Sequence, residues 1–409
     1  CALPILNVLY FSAMAPYDKV DHAGGKVHNF YIKEMQRTGK YDITLLSMCW
    51  NREVPLLDLN DYHIRNDIYV LDKNKAHELL RKGLSGFSYF NPFDKYGNYL
   101  LDYERYHYKK LVRKHYIKCK NGEISFPQLI IIQWTQVIFL IDYVKKYFPN
   151  VKIVAIEEDV SFLSFERHID MAHGKLSRVI AKYRYHNMKK RELTVLNKAD
   201  IVVNNNHKDL LLLEKEGIPK KKLRELPVFF KSYDYLKRKE PTNELLFYGA
   251  MARPENYKSA IWFIENVMPL LSDLDVRFVI VGARPDKSLL TYASDKVEIT
   301  GFMDKVDPYF ERCLCLVAPL VLGAGVKVKI LEAMSSGIPV VTNHIGIEGI
   351  YAENGKHYIH CEAPEEYAEC IHKLVNDYKK TAPSGRAFIR ENYDLEKSFT
   401  EFMEKDLII

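Results

Sequence analysis

Long apolar runs are missing from this 409-residue chain. No window approaches the roughly 20 apolar residues of a membrane helix, so any membrane role is expected to be peripheral. Cysteine is sparse: seven residues without paired spacing exclude a disulfide framework and point to reduced thiols in a cytoplasmic protein. Cys313 and Cys315 alternate along a predicted strand, which makes them core thiols rather than a metal-binding pair. No structural zinc spacing occurs. Nor is there an Asp-x-Asp motif in a suitable loop, so no metal is expected. Charge excess is small, at a formal +6 with a pI near 8.6, well short of what a nucleic-acid binder carries. Among 14 histidines no Ser-His-Asp or Cys-His arrangement stands out, although His22 and His28 flank a Gly-Gly loop. A leader peptide is not expected either, because Leu3 to Phe11 lacks a basic start and reads as a first strand.

What the chain does have is ordinary globular composition, 47% hydrophobic and 27% charged, over a length that suits two α/β domains. Apolar runs over 5–11, 43–47, 68–71, 129–134, 151–156 and 199–203 read as strands, with helices over 26–38 and 176–196 between them. Gly24 and Gly25, just ahead of the first helix, would place free amides over a ligand cleft. Residues 73–121 break the rhythm as an aromatic and basic insertion. Phe87, Tyr89, Phe90, Phe93, Tyr96, Tyr99, Tyr103, Tyr106 and Tyr108 are interleaved there with Arg105, Lys109, Lys110, Arg113 and Lys114. Such a mixture suits an anionic membrane surface or a lipid-linked acceptor, and equally a helical hairpin packed on a sheet. The run over 151–156 ends in Glu157, Glu158 and Asp159, acids that would repel one another at the carboxyl edge of a strand. A Lys- and Pro-rich linker then leads into a second regular alternation of strands and helices. The expected organisation is an N-terminal domain over 1–230, a second domain over 231–395, and a final helix within 396–409.

The most informative stretch runs from Pro319 to Ile350. Gly323 and Gly325 permit a tight turn and close approach of a ligand. The helix that follows points its unpaired amides and positive dipole end at that turn, a natural anion site. Lys327 lies at its mouth, and Lys329 and Glu332, three apart, share one face. A cation there suits a phosphate, and a carboxylate one turn deeper suits two vicinal hydroxyls. Gly337 fits a left-handed stop before a buried strand, and the next loop brings Glu348 to the same edge. Other loops at strand carboxyl ends, Gly249 to Arg253, Gly282, and Gly301 with Phe302, converge on the same edge, so the ligand edge is located without family knowledge.

The pattern GxGxKxKxLEAMxxGxPVVxxxxGxEG resembles the donor-site signature of family 4 retaining glycosyltransferases. FYGAMARPENYKSAIWFIENVMPLL, VEITGFMDKVDPYF and CLCLVAPLVLGAG precede it in that family's order. The resemblance implies a GT-B fold, two Rossmann-like domains across a cleft, with the last helix crossing back onto the first domain. It also implies transfer of a sugar, with retention, from a UDP-, GDP- or dTDP-linked donor to a glycan or lipid-linked acceptor in polysaccharide or glycoconjugate synthesis. No cofactor beyond that donor is implied. On this resemblance Gly24, Gly25, Arg253, Lys258, Gly301, Phe302, Gly323, Gly325, Lys327, Lys329, Glu332 and Glu348 form the donor site, with Glu332 on the ribose. Glu157 stands where the family commonly places a histidine on the transferred sugar, and with Glu158 is the catalytic candidate. Ala250 and Asn256 occupy the places of a usual arginine and lysine, with Arg253 and Lys258 as displaced substitutes. A first glutamate of the family's E-x7-E pattern is replaced by Ala324. The departures at Ala324 and Glu157 motivate one alternative, a catalytically silent donor-binding subunit, and a GT-B epimerase or hydrolase is the other.

Overall fold

The computed structural model describes residues 5–20, 23–72, 102–170, 174–323 and 325–407. It divides into two units, Cys1–Leu226 with Glu396–Ile409, and Pro227–Leu395.

The first unit is built on seven parallel strands: β1 (Leu6–Ser12), β2 (Tyr41–Cys49), β3 (Arg65–Val70), β4 (Leu129–Gln133), β5 (Lys152–Glu157), β6 (Ile201–Asn204) and β7 (Leu223–Glu225). Their order is β3-β2-β1-β4-β5-β6-β7. The apolar run of β4 is buried throughout, as a central parallel strand covered by helices on both faces must be. The longer described helices are α1 (Ala23–Arg37), α2 (Asp102–Lys120), α3 (Ile141–Tyr147), α4 (Phe162–Asp170), α5 (Lys175–Leu196) and α6 (His207–Lys215). Leu9, Phe11, Ile130, Ile132, Val144 and Phe148 belong to the core between them.

Two expectations change here. Gly24 and Gly25 do not precede the first helix but lie in its first turn. A Cβ on Gly24 would come 3.3 Å from the Trp134 indole nitrogen, so this glycine accommodates a side chain of its own unit. Of the aromatic insertion, residues 73–101, with Phe87 through Tyr99, lie outside the described residues. The remainder is α2, where Tyr103 and Tyr108 turn into the core while Tyr106 stays exposed. The Tyr108 hydroxyl donates to the Ala13 carbonyl at 2.6 Å, a packing role.

The second unit carries six parallel strands: β8 (Glu244–Tyr248), β9 (Arg277–Val281), β10 (Val297–Gly301), β11 (Cys315–Ala318), β12 (Val340–Thr342) and β13 (Ile359–His360). The order β10-β9-β8-β11-β12-β13 reverses direction between β8 and β11, the switch point at which open α/β sheets take ligands. Around the sheet lie α7 (Pro254–Asn266), α8 (Asp307–Arg312), α9 (Val328–Ser336), α10 (Pro364–Asn376) and α11 (Arg386–Asn392). Cys313 and Cys315 sit in the two cores on opposite faces of this sheet.

The final helix, α12 (Leu395–Lys405), packs on the first unit. Phe399 stacks on Tyr31 with centroids 4.5 Å apart, and Asp406 accepts the Arg224 guanidinium at 2.7 Å. Among the described residues no helix is long and apolar enough to cross a membrane.

Candidate functional site

The second unit's switch point is lined by backbone turns that hold one another. The Gly249 amide donates to Val281 at 3.1 Å, and the Gly282 amide to Gly301 at 2.9 Å. A Cβ on Gly282 would fall 1.8 Å from the Gly249 carbonyl oxygen, so only glycine permits this approach. Gly301 takes φ +73, and the Phe302 ring beside it is 70% exposed. Across the switch point, Ser259 of α7 accepts the Val321 amide at 3.1 Å and fixes the start of the loop after β11. Gly323 and Gly325 both take positive φ there, and Lys327 curls back, donating to the Gly325 carbonyl at 2.5 Å. Glu348 approaches the Lys327 ammonium at 3.7 Å. Asn343 ties this loop to the next one, donating to Leu320 at 2.8 Å and accepting the Gly346 amide at 3.0 Å.

The helix α9 begins at Val328 and stops at Gly337, whose φ is +79. Lys329 and Glu332 sit on its first turns. Lys329 donates to Asn256 at 2.5 Å and lies 4.7 Å over the Phe247 ring. Burial, reinforced by the nearby cations Lys327 and Arg253 and opposed by Glu255, lowers its ammonium to about 7. The Glu332 carboxylate accepts the Tyr248 hydroxyl at the end of β8, and the Lys231 amide approaches it at 3.4 Å. Its position is therefore set by β8 and by the segment entering the unit.

The structure brings Gly301, Gly323, Gly325, Lys327, Lys329, Glu332 and Glu348 to this one edge, and separates the two displaced cations. Arg253 caps α7 and pairs with Glu255 at 2.6 Å, close enough to Lys329 to act on its charge. Lys258 is exposed farther along α7, while the adjacent Ser259 turns inward. Buried Asn256, not Lys258, meets Lys329. Ala324 lies outside the described residues.

In the first unit the two candidate acids part company. Glu157, the last residue of β5, is 0% exposed. It accepts Thr135 at 3.3 Å, and burial together with the neighbouring Glu192 pushes its carboxyl well above the usual range. Glu192 accepts the amides of Ser161 and Phe162 at 2.6 and 2.8 Å and is itself pushed up to about 7 by burial. The expectation that Glu157 contacts a sugar is corrected on this ground: it faces the protein interior. Glu158 keeps part of its surface open, accepts Gln133 at 2.5 Å, and is raised to about 8 by the protein packed around it. Gln133 accepts the Tyr10 hydroxyl at 2.5 Å, so a tyrosine–glutamine–glutamate chain runs beneath the carboxyl edge. Among the described residues no cluster of His, Cys, Asp and Glu forms a metal site.

Tyr248, Ser259 and Glu192 were not singled out in the sequence, and Asn256 was named there without a role. Only Asn256 carried a signal, its place in the loop where the resembled family has a lysine.

Residues 242–377 match the family model of glycosyl transferases group 1. Over 176 residues the chain is 27% identical to an uncharacterized 44.6 kDa protein in the cps region of Klebsiella pneumoniae. That match takes in 40% of this chain and 45% of its relative, so the chain spans about half the length of that curated protein. Among solved structures, Anabaena HepE in complex with UDP superposes with a TM-score of 0.63 at 14% identity, covering 98% of this chain and 99% of HepE. The apo form of the lipopolysaccharide outer core galactosyltransferase WaaB gives 0.61 at 12% identity over 98% of this chain and all of WaaB. The fold is GT-B. The group 1 match falls wholly within the second unit of that GT-B fold and includes each loop of its switch point.

Proposed function

We propose that this GT-B protein transfers a sugar from a nucleotide-diphosphate donor to a glycan or lipid-linked acceptor, with retention, in polysaccharide or glycoconjugate assembly. One observation carries the reading: Lys329 and Glu332 share a face of α9 beside glycine turns, one a half-buried cation and the other a carboxylate fixed by Tyr248. Breaking the bond between an anomeric carbon and a diphosphate builds negative charge on the leaving group. The α9 amides, Lys327, Lys329 and Arg253 would stabilise it without a metal, and Glu332 would accept from the ribose hydroxyls. Glu348 is assigned to the pyrophosphate or sugar end, and the backbone at Gly301 and Phe302 to the nucleobase. In the first unit Gly24 and Gly25 are assigned to the same donor by resemblance, and Glu158 replaces Glu157 as the acid for the transferred sugar. HepE has been solved with UDP and with UDP-glucose, which makes UDP the first nucleotide to try. The lipopolysaccharide outer core galactosyltransferase WaaB, a neighbour in fold, favours a glycan or lipid-linked acceptor, and peripheral contact with a membrane is part of the same proposal.

The test is a thermal-shift panel of UDP, GDP, dTDP and ADP with their common sugars. A ligand that binds only the folded state raises the midpoint by mass action. One nucleotide is expected to do so, and Glu332→Ala to abolish the shift. No shift from any nucleotide on folded protein would defeat the donor site.

A further inference from the structure

A second polar site lies in the first unit, away from the loops at its strand ends. A cavity of about 620 Å³ opens between α2, α3 and α5. Its lining includes five cations, Lys109 from α2, Lys146 from α3, Lys190 and Arg191 from α5, and Lys198 just after it. One carboxylate, Asp142, lines it too, and Lys198 donates to both of its oxygens at 2.7 Å. Lys109 lies 5.3 Å over the Tyr143 ring, which leaves its ammonium at the wall, and Lys146 and Lys190 are exposed. So many cations around one concavity raise the local potential and attract an anion with several oxygens.

The same helix face shows which anion. Along α5, Leu176, Val179, Tyr183, Asn187, Lys190 and Thr194 follow one another at helical spacing, on one side of the helix. The last three line the cavity, and the first three are solvent-exposed, Leu176 by 74% and Val179 by 63%. A soluble phosphate would need only the cations. A lipid offers a charged headgroup continuous with an apolar phase, and a face that is cationic at one end and apolar at the other matches it.

We propose that this cavity receives the phosphate of an anionic phospholipid headgroup, with Leu176 and Val179 entering the bilayer beside it. The site deepens the peripheral-membrane part of the function proposed above and rests on it, but uses none of the donor residues. The test is co-sedimentation of the full chain with phosphatidylcholine vesicles, with and without phosphatidylglycerol. Binding is expected only with the anionic lipid, and is expected to weaken with salt. Each cation near a charged surface is worth about fivefold in partitioning, so Lys146→Ala with Lys190→Ala lowers it about twenty-five-fold. Leu176→Ser with Val179→Ser lowers it independently, and both double variants keep the nucleotide thermal shift. Unchanged partitioning in either variant overturns the proposal, as does equal binding to both vesicles. Stabilisation by inorganic phosphate or pyrophosphate, lost in the lysine variant and without vesicle binding, would make this a soluble-anion site and also overturn it. A missing nucleotide shift with normal vesicle binding would defeat the donor reading alone.

Discussion

Raising the pH should release the nucleotide sugar, and Lys329 sets by how much. Its ammonium stands at about 7 because the protein around it replaces water and because Lys327 and Arg253 are near. A bound diphosphate brings opposite charge, which favours the protonated form and raises that value. Binding therefore takes up a proton above neutrality. The diphosphate of a nucleotide sugar is a diester and does not itself titrate in this range. Affinity then falls by nearly tenfold per pH unit above 7, about thirtyfold between about pH 6 and about pH 8.5, or about 2 kcal/mol. The ligand-free protein behaves the opposite way. A lysine lowered from 10.5 to about 7 binds fewer protons folded than unfolded between those values, so stability rises with pH through that window. The assay is titration calorimetry across the range in buffers of different ionisation enthalpy, which reads proton uptake directly. Lys329→Arg keeps its charge throughout and should flatten the profile. A wild-type affinity independent of pH, with no proton uptake, would refute the placement of Lys329 against the diphosphate.

Two further outcomes follow from the same geometry. Gly282→Ala places a Cβ 1.8 Å from the Gly249 carbonyl, so the turns must part; denaturant unfolding should show a loss of about 2 kcal/mol or more, and the nucleotide thermal shift should vanish. The carboxyls of Glu192 and Glu158 stand at about 7 and about 8, above their usual 4.5, so their contribution is complete below that value and is lost as pH rises through the folded ones. Melting temperature should fall between about pH 5 and about pH 7, and Glu192→Gln should make that fall shallower; an unchanged slope would show that Glu192 is not held protonated.

The apolar runs, the glycine turns and the stop at Gly337 were readable because each depends on a few adjacent residues. Such signals place strands and the carboxyl-edge loops between them, and with them the fold. The partners that tune the site lie far off along the chain. Tyr248 reaches Glu332 across 84 residues and Asn256 reaches Lys329 across 73, and no local pattern reports either. Gly24 and Gly25 were displaced by a few residues because α1 has no acid in its first turn to mark its start. The choice between Glu157 and Glu158 turned on which acid faces inward at the end of β5. In a strand buried on both faces, hydrophobic alternation is absent and cannot decide it.

The route of the chain also has a consequence for synthesis. The second unit is one continuous segment, Pro227–Leu395, whereas the first is completed by α12. Until that helix emerges, Tyr31 and Phe30 lack the Phe399 ring that covers them, and Arg224 lacks Asp406. The unit translated first is thus finished last, after the other has had time to fold. A fragment ending at Leu226 would expose an aromatic patch and offer it to other copies of itself, whereas the later segment carries all of its own sheet. Dissection of this protein into halves should therefore begin with the second unit, or join residues 396–409 back to the first.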